Sequence, residues 1–173
     1  MNATTYVTVN GGTTIRSTAL ISRNCNEVWN IVSDPGNIVR FHPLIKHSEC
    51  ISKNKSGIGS ERLCKLLPMG EMIEQATEWK EGQGYTMLVK GGKMMPPVKF
   101  MKGALSLDHR EGRCLVSFEF SYKLKGGFLG ALMDRFMIRP QFRKAPPKYV
   151  LGLKYYAENG RKISKKELAQ LGF

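Results

Sequence analysis

The alternation of apolar and polar positions predicts a chain built mainly of short strands, with helical segments near both ends. Residues 13–22 are rich in β-branched side chains and predict a first strand. From residue 44 onward, short alternating runs separated by turn residues predict six more strands. These strands cover residues 44–52, 59–67, 71–79, 85–90, 99–109 and 113–123. Because the turns between them are short, we expect antiparallel neighbours in a meander.

Two short helices are predicted between the first and second strands. Asn24 can cap the first helix, and Glu27 lies three residues later, which is the spacing of a capping box. This helix should end at Pro35, because proline and the glycine after it cannot continue a helix. A second helix is predicted at residues 37–41 and should stop before Pro43.

The alternation also indicates which face of the sheet is buried. In strand 113–123 the apolar and aromatic side chains occupy one face, and they are Val116, Phe118, Phe120 and Tyr122. Tyr85, Met87 and Val89 share one face of strand 85–90. An apolar face of this size must be covered by another element.

The C-terminal region supplies a candidate cover. Apolar residues recur there at helical spacing in two groups, which are Phe128, Leu129, Leu132, Met133 and Phe136, followed by Tyr149, Val150, Leu153, Tyr156 and Ala157. Pro140 and the pair Pro146-Pro147 interrupt the pattern, so we predict two helical pieces with a kink or break between them. Ser164 and Glu167 have the spacing of another capping box and predict a final short helix.

Length and composition favour one ordinary globular domain. The 173 residues fit a single domain, 42% are hydrophobic and 24% are charged. We expect residues 1–173 to form that domain, with residues 1–12 and 161–173 as peripheral ends. The N-terminal residues do not have the pattern of a secretory signal, and no run approaches the length of a membrane span, so a cytoplasmic location is expected.

The formal net charge of +13 is concentrated near the C-terminus. The basic residues of that region are Lys125, Arg135, Arg139, Arg143, Lys144, Lys148, Lys154, Arg161, Lys162, Lys165 and Lys166. They can form a solvated helix face, or they can face an anionic ligand or an anionic membrane surface. A nucleic-acid partner is not expected, because the aromatic residues fall on the inner face of the sheet.

Cysteine and histidine positions give no metal or cofactor signal. Cys25, Cys50, Cys64 and Cys114 lack CxxC spacing, which favours reduced core thiols over a disulfide framework or a zinc site. His42, His47 and Cys50 span a proline and a strand start, so we expect no metal site among them. Nucleophile and phosphate-binding motifs are absent from the sequence, and we expect no cofactor.

Several short segments lie in a characteristic order along the chain. They are Val28-Trp29 with Ser33-Asp34, Phe41-His42-Pro43, Gly57-Ile58-Gly59 with Arg62, Glu74 before Trp79, and the glycine-rich residues 126–130. In this order and spacing the chain resembles the START-related (SRPBCC) superfamily. That superfamily includes birch-pollen-allergen-like proteins, polyketide cyclase and dehydrase-like proteins, and plant abscisic acid receptors.

The resemblance implies an α+β helix-grip fold. In such a fold a curved antiparallel seven-stranded sheet wraps around a long C-terminal helix, here broken by prolines, and two short helices follow the first strand. The space between sheet and helix forms a cavity for lipids, sterols, hormones or polyketide-like molecules. Similarity to the hormone-receptor branch implies two gate loops, which correspond here to Pro68, Met69 and Gly70 and to Met94, Met95 and Pro96, although the full gate motifs are absent.

Arg62 and Glu74 are the main candidates for a polar anchor. They lie on neighbouring predicted strands and can be close on one face, either as a surface ion pair or as a charged anchor in an apolar pocket. The resemblance places the glutamate inward and favours the pocket. The other expected ligand-binding residues are Tyr85, Met87, Phe118, Phe120, Leu132 and Phe136.

Three functions remain open from the sequence. We favour binding or transport of a hydrophobic small molecule over catalysis. The first alternative is an enzyme similar to polyketide cyclases or dehydratases, in which Glu74 or His42 moves protons. The second is binding to a membrane surface through the basic C-terminal region. The sequence leaves the ligand and the oligomeric state open.

Overall fold

A computed structural model describes residues 3–9, 12–66 and 70–172 of the chain. The strands are β1 (Ala3–Val9), β2 (Gly12–Ile21), β3 (Ile45–Cys50), β4 (Glu61–Leu66), β5 (Gly70–Lys80), β6 (Gly84–Lys93), β7 (Val98–Arg110) and β8 (Arg113–Leu124). The α-helices are α1 (Cys25–Val32), α2 (Ile38–Phe41), α3 (Gly127–Met133), α4 (Arg139–Phe142), α5 (Ala145–Asn159) and α6 (Lys165–Gln170). A 3₁₀ turn at Pro35–Asn37 precedes α2, and a π-helix at Asp134–Ile138 joins α3 to α4.

All strands described belong to one antiparallel sheet with the order β1-β2-β8-β7-β6-β5-β4-β3. The helix-grip prediction is confirmed, because the C-terminal helices pack on the sheet and α1 and α2 follow strand β2. The seven predicted strands are present, and β1 adds an eighth by pairing along β2 from Ala3↔Thr18 to Val9↔Gly12. Part of the segment expected to be a peripheral end therefore extends the sheet.

The start of α1 has the predicted capping box. The Glu27 backbone N–H donates to Asn24 Oδ1 over 2.9 Å, and the Asn24 N–H donates to Glu27 Oε2 over 3.0 Å. These bonds satisfy amide groups that the first turn of a helix leaves unpaired. Val28 and Val32 on the next turns are buried in the main core.

Trp29 connects α1 to the turn between β5 and β6. Its indole N–H donates to Glu81 over 2.7 Å, and the indole N–H of Trp79 donates to the same carboxylate over 3.0 Å. The two indole rings meet edge to face with centroids 5.4 Å apart, and Tyr85 stacks on Trp79. This aromatic group closes the β5–β6 end of the fold.

Cys25 and Cys114 form a disulfide, so the prediction of four reduced thiols is wrong for this pair. Ile21, four residues before Cys25, lies opposite Cys114 in the β2–β8 register. The chain then turns into α1, which brings the two cysteine Cα atoms to 4.8 Å despite a sequence separation of 89 residues. The spacing of the cysteines along the chain does not predict how β2 and β8 pair, so it does not indicate this bond. Cys50 and Cys64 remain free thiols.

The C-terminal region contains two helical pieces, as predicted. The first runs through α3, the π-helix and α4, and the second is α5, which begins with Pro146 and Pro147 in its first turn. Pro140 lies within the first piece. A proline cannot donate a backbone hydrogen bond, and the turn before it becomes π-helical, with the Arg139 N–H donating to the Asp134 carbonyl.

The last residues pack against the domain. Ser164 and Glu167 form the predicted capping box of α6, and Ile163 and Leu168 are buried. The Lys162 ammonium donates to backbone carbonyls near α2 and β3, at 3.0 and 2.8 Å. The segment expected at the periphery thus contributes to the core. None of the helices in the described part of the chain has the length and apolar character needed to cross a bilayer.

Candidate functional site

A cavity of about 100 Å³ lies between the concave face of the sheet and the helical cover. Its walls come from α2, from strands β3 to β8, and from α4 and α5. The lining residues are Ile38, His42, Leu44, Ile45, Arg62, Leu66, Met72, Glu74, Val89, Met101, Gly103, Phe118, Phe120, Gln141, Phe142, Ala145 and Tyr149. Most of this surface is apolar. Arg62, Glu74 and His42 form a polar group near β4 and α2, and Gln141 of α4 is a further polar residue of the lining.

The Arg62–Glu74 pair forms the charged part of the wall. The two residues are direct partners across β4 and β5, and Arg62 Nε donates to Glu74 Oε2 over 2.8 Å. Arg62 Nη1 also donates to the Pro35 carbonyl over 2.9 Å. Both side chains are buried, which excludes the alternative of a surface ion pair. Burial tends to lower the pKa of Arg62, but the Glu74 carboxylate raises that pKa well above its usual value.

A β-bulge in β6 brings Val89 opposite Glu74. In the β5–β6 ladder Ile73 lies opposite Gly91, whereas Glu74 lies opposite Val89, so β6 contains one additional residue at this point. A bulge of this kind changes the direction in which side chains project from a strand. Here it places a carboxylate and an apolar wall residue on the same face.

His42 is the second polar group on the wall. It follows α2, and its Nδ1 accepts a hydrogen bond from the Leu44 N–H over 3.2 Å, so the proton of the neutral ring is assigned to Nε2. Burial, assisted by the positive charges of Lys162 and Arg62, lowers the pKa of His42 to about 3. The imidazole is therefore neutral at physiological pH and is a weak proton acceptor.

Tyr149 brings helix α5 against the sheet. Its ring stacks on Phe118 with centroids 4.0 Å apart and contacts Phe41 edge to face at 5.2 Å. Its hydroxyl lies 3.4 Å from the Tyr85 hydroxyl. Burial raises the pKa of Tyr149 well above its ordinary value, so the hydroxyl stays protonated and acts only as a hydrogen-bonding group.

The other end of the cavity is aromatic. Phe142 on α4 meets Phe120 and Tyr122 edge to face, with centroids 5.2 and 4.9 Å apart. Gly103 makes room for this layer of rings, because a Cβ there would approach the Phe118 ring to 2.9 Å. The apolar part of a ligand would find its contacts at this end.

The predicted ligand-binding residues fall into three groups. Arg62, Glu74, Phe118 and Phe120 line the cavity. Tyr85 and Met87 are buried in the core beyond it. Leu132 and Phe136 are 47% and 67% exposed, so their placement in the cavity requires correction. Their helical spacing identified an apolar stripe but did not show which stripe faces the sheet.

Met133, Ile138 and Phe142 occupy the inward positions of the same helical segment. They pack in one cluster with Met101 and Tyr122 of the sheet. The sequence pattern groups Met133 with the exposed stripe and does not identify the other two as inward residues. The π-helix adds to the difficulty, since it rotates the residues after Asp134 relative to a regular α-helical repeat.

The two predicted gate loops are described in part. Pro68 and Met69 lie outside the described residues. Gly70 begins β5 with a φ of +83°, and a Cβ at this position would lie 2.4 Å from the Lys93 carbonyl. The second loop contains the exposed Met94 and also Met95 and Pro96, which are partly buried. The described edge of the first loop therefore contacts the start of the second.

A separate buried cluster anchors the π-helix. Asp134 Oδ1 accepts a hydrogen bond from the Tyr122 hydroxyl at 2.5 Å, and its Oδ2 accepts from Thr13 at 3.2 Å. Arg139 Nε donates to the same Oδ2 over 3.0 Å. Asp134 is therefore fully engaged by side chains of β2, β8 and α4. Within the described ranges, no three His, Cys, Asp or Glu side chains form a metal-binding group.

A family model described as polyketide cyclase/dehydrase and lipid transport matches residues 12–145. The chain belongs to this family. The resemblance to the START-related superfamily is thereby confirmed, and the match includes every cavity-lining residue except Tyr149. The sequence has no significant match among curated proteins.

Solved structures share the fold at low sequence identity. The crystal structure of Ara h 8.0201 has a TM-score of 0.66 and 12% identity, covering 85% of this chain and 98% of that one. TTHA0849 from Thermus thermophilus has a TM-score of 0.68 and 13% identity, with 83% and 96% covered. XoxI from Bacillus cereus has a TM-score of 0.65 and 12% identity, with 84% and 96% covered. These likenesses establish the architecture.

Proposed function

We propose that the protein binds or carries a hydrophobic small molecule between the sheet and its helical cover. The observation that supports this most directly is the buried Arg62–Glu74 pair at one end of a mostly apolar cavity. A charged pair is costly to bury and rarely needed for stability. Placed beside an aromatic compartment, it gives a ligand both an orienting group and an apolar contact surface.

The chemistry of the walls supports a ligand with an apolar body and one polar end. An apolar body would contact Phe120, Phe142 and Met101, and a hydroxyl, carbonyl or carboxylate would face Arg62 and the Nε2–H of His42. The cavity of about 100 Å³ is smaller than the roughly 300–1,000 Å³ of typical small-molecule sites. Binding of a lipid, sterol or polyketide-like molecule therefore requires the helical cover or the loops to move outward.

The test begins with the protein purified from its host. Native mass spectrometry followed by solvent extraction should detect a co-purifying apolar compound, and the delipidated protein should rebind it. Val89→Phe places a ring in the cavity and should weaken rebinding at least about tenfold, since it removes the space for apolar contacts. Leu88→Phe projects from the opposite face of β6 and serves as the matched control. Equal binding by both variants, or no bound compound at all, would refute the proposal.

Catalysis of a cyclisation or dehydration is the alternative use of the same cavity. Two features of the site favour binding over catalysis, since burial lowers the pKa of His42 to about 3 and Glu74 is already paired with Arg62. An enzyme would lose turnover of a polyketide-like substrate in Glu74→Gln while retaining binding. A carrier would show only a change in affinity in the same variant.

A further inference from the structure

The outer face of α3 and the π-helix exposes an unusual number of large apolar side chains. Phe128, Leu129, Leu132, Phe136 and Met137 are each between 47 and 82% exposed. They recur over successive turns of one helical segment, and no described element covers them. A continuous exposed apolar face on a globular domain is typical of a contact surface. We call residues 127–137 the apolar ridge.

The surroundings of the apolar ridge are positively charged. Arg135 lies within the segment, Lys125 precedes it and Arg143 and Lys144 follow it, and all four are exposed. Asp134 is the only acidic residue between Glu119 and Glu158, and its carboxylate is buried and bonded to Tyr122 and Arg139. The positive charge around the ridge is therefore not neutralised by neighbouring acids along this segment.

A cationic cleft adjoins the inner edge of the ridge. It has a volume of about 350 Å³, and α3 contributes Gly127 and Gly130 to its wall. Lys99, Lys123 and Arg139 line it as well. The Asp134 carboxylate also lies on this wall, but Thr13, Tyr122 and Arg139 already donate to its two oxygens. Lys99 is exposed on this wall, so the cleft offers a basic side chain to an anionic group next to an apolar surface.

The combination of apolar and basic residues discriminates between possible occupants. A second copy of the chain would bring a basic rim against the same basic rim, in a protein with a net charge of +13. An anionic phospholipid bilayer offers the opposite charge at its surface and an apolar layer just below it. Interfacial helices with basic polar faces and Phe or Leu on the other side bind such bilayers.

We propose that the apolar ridge and its basic surroundings form a docking surface for an anionic phospholipid bilayer. The apolar side chains enter the region below the headgroups, and the basic residues and cleft contact phosphate groups. This inference concerns the outside of the helical cover and holds whether or not the cavity binds a ligand. The two are nevertheless adjacent, because Met133 of this segment packs against the buried cluster that contains Phe142, and Phe142 lines the cavity.

Vesicle sedimentation of the full chain tests the proposal. The protein should pellet with vesicles of phosphatidylcholine mixed with phosphatidylglycerol and remain in solution with phosphatidylcholine alone. Raising NaCl from about 0.1 to about 0.5 M should weaken binding, because the Debye length falls. Phe128→Ser with Leu129→Ser should reduce binding about tenfold or more by removing inserted apolar area. Arg135→Gln, Arg143→Gln and Lys144→Gln together should reduce it about a hundredfold, from roughly fivefold per charge.

Matched controls exist elsewhere on the surface. Ile51→Ser with Ile58→Ser removes two exposed apolar residues of the β3–β4 connection, and Lys46→Gln, Lys53→Gln and Lys55→Gln remove three exposed charges. Both control variants should bind vesicles like the wild type. Binding that is insensitive to the ridge variants, or equally sensitive to the controls, would overturn the proposal. The proposal would also be overturned if the wild type is a dimer that does not bind vesicles and the Phe128→Ser, Leu129→Ser variant is a monomer.

The same variants separate this surface from the cavity. Ridge variants should retain the affinity for a hydrophobic ligand in vesicle-free solution, since the substituted side chains face away from the cavity. Loss of ligand binding in Val89→Phe with intact vesicle binding identifies the cavity as the independent site. Loss of both properties in a ridge variant with an unchanged melting temperature would show that the two sites are not separate, which contradicts the proposal.

Discussion

The Tyr122 hydroxyl donates to the Asp134 carboxylate over 2.5 Å and thereby joins strand β8 to the π-helix. Both residues are buried, although they lie at the edge of the helical cover. An unpaired carboxylate at this position would be costly, so the bond determines where the cover is held on the sheet. Arg139 and Thr13 strengthen the same attachment.

Replacing Tyr122 by Phe should therefore loosen the cover without disturbing the ring packing on Phe142. We expect a loss of about 1–2 kcal/mol in the free energy of unfolding, because a buried acceptor loses one donor. Urea denaturation measures the loss, and hydrogen exchange should accelerate in residues 127–142. Tyr155→Phe, which removes a bond to Glu167 near the surface, should cost less. Equal effects of both variants would contradict this assignment.

The Arg62–Glu74 pair should behave as a buried unit. Arg62→Met leaves a buried carboxylate without its partner and should destabilise the fold by about 3–5 kcal/mol. The double variant Arg62→Met, Glu74→Leu removes both charges and should recover most of that loss. Thermal unfolding of the three proteins checks the expected order. If the double variant is no more stable than Arg62→Met, the pair contributes net stability and its proposed role in orienting ligands is weakened.

Acidification should destabilise the protein through His42. Its pKa of about 3 in the folded state lies below the unfolded value of about 6.5, so the unfolded state takes up the proton first. Stability is therefore present above pH 6.5 and is lost as the pH falls toward 3, with about 2 kcal/mol lost between pH 7 and 5. Urea denaturation at both pH values should show this loss. The slope should flatten in His42→Gln and persist in His47→Gln, whose side chain is exposed.

The disulfide should be detectable by mass and by stability. Under denaturing, non-reducing conditions an alkylating reagent should modify Cys50 and Cys64 alone, whereas reduction should make four cysteines reactive. Reduction should lower the free energy of unfolding by about 2–4 kcal/mol, since the bond closes a long loop in the unfolded chain. Modification of four cysteines without reductant would contradict the bond. In the folded state Cys64 should react slowly, because burial raises the pKa of its thiol to about 12.

Local signals in the sequence predicted much of the architecture. The alternation in β8, the Asn24 capping box and the proline pair at the start of α5 each specify their own element, and the structure contains all three. The pairing of Arg62 with Glu74 could also be predicted, because their strands follow each other closely in the chain and are antiparallel neighbours. Such features depend on residues close together in the chain.

Features that depend on long-range packing could not be predicted from the sequence in the same way. The disulfide requires the β2–β8 register and the path of α1 together. The orientation of the helical cover is a similar case, because Leu132 and Met133 are adjacent apolar residues and only one can face the sheet. The anchor at Asp134 decides between them, and that anchor depends on Tyr122 and Thr13 from distant strands.

The position of Trp29 and Trp79 has a practical consequence for spectroscopy. They are the two tryptophans of the chain, and both donate to Glu81 at the β5–β6 end of the sheet. Intrinsic fluorescence therefore monitors the environment of that one corner. An emission change on adding vesicles would report a rearrangement transmitted through the whole domain, whereas contact at the apolar ridge itself needs a fluorophore placed there, for example through Phe128→Trp.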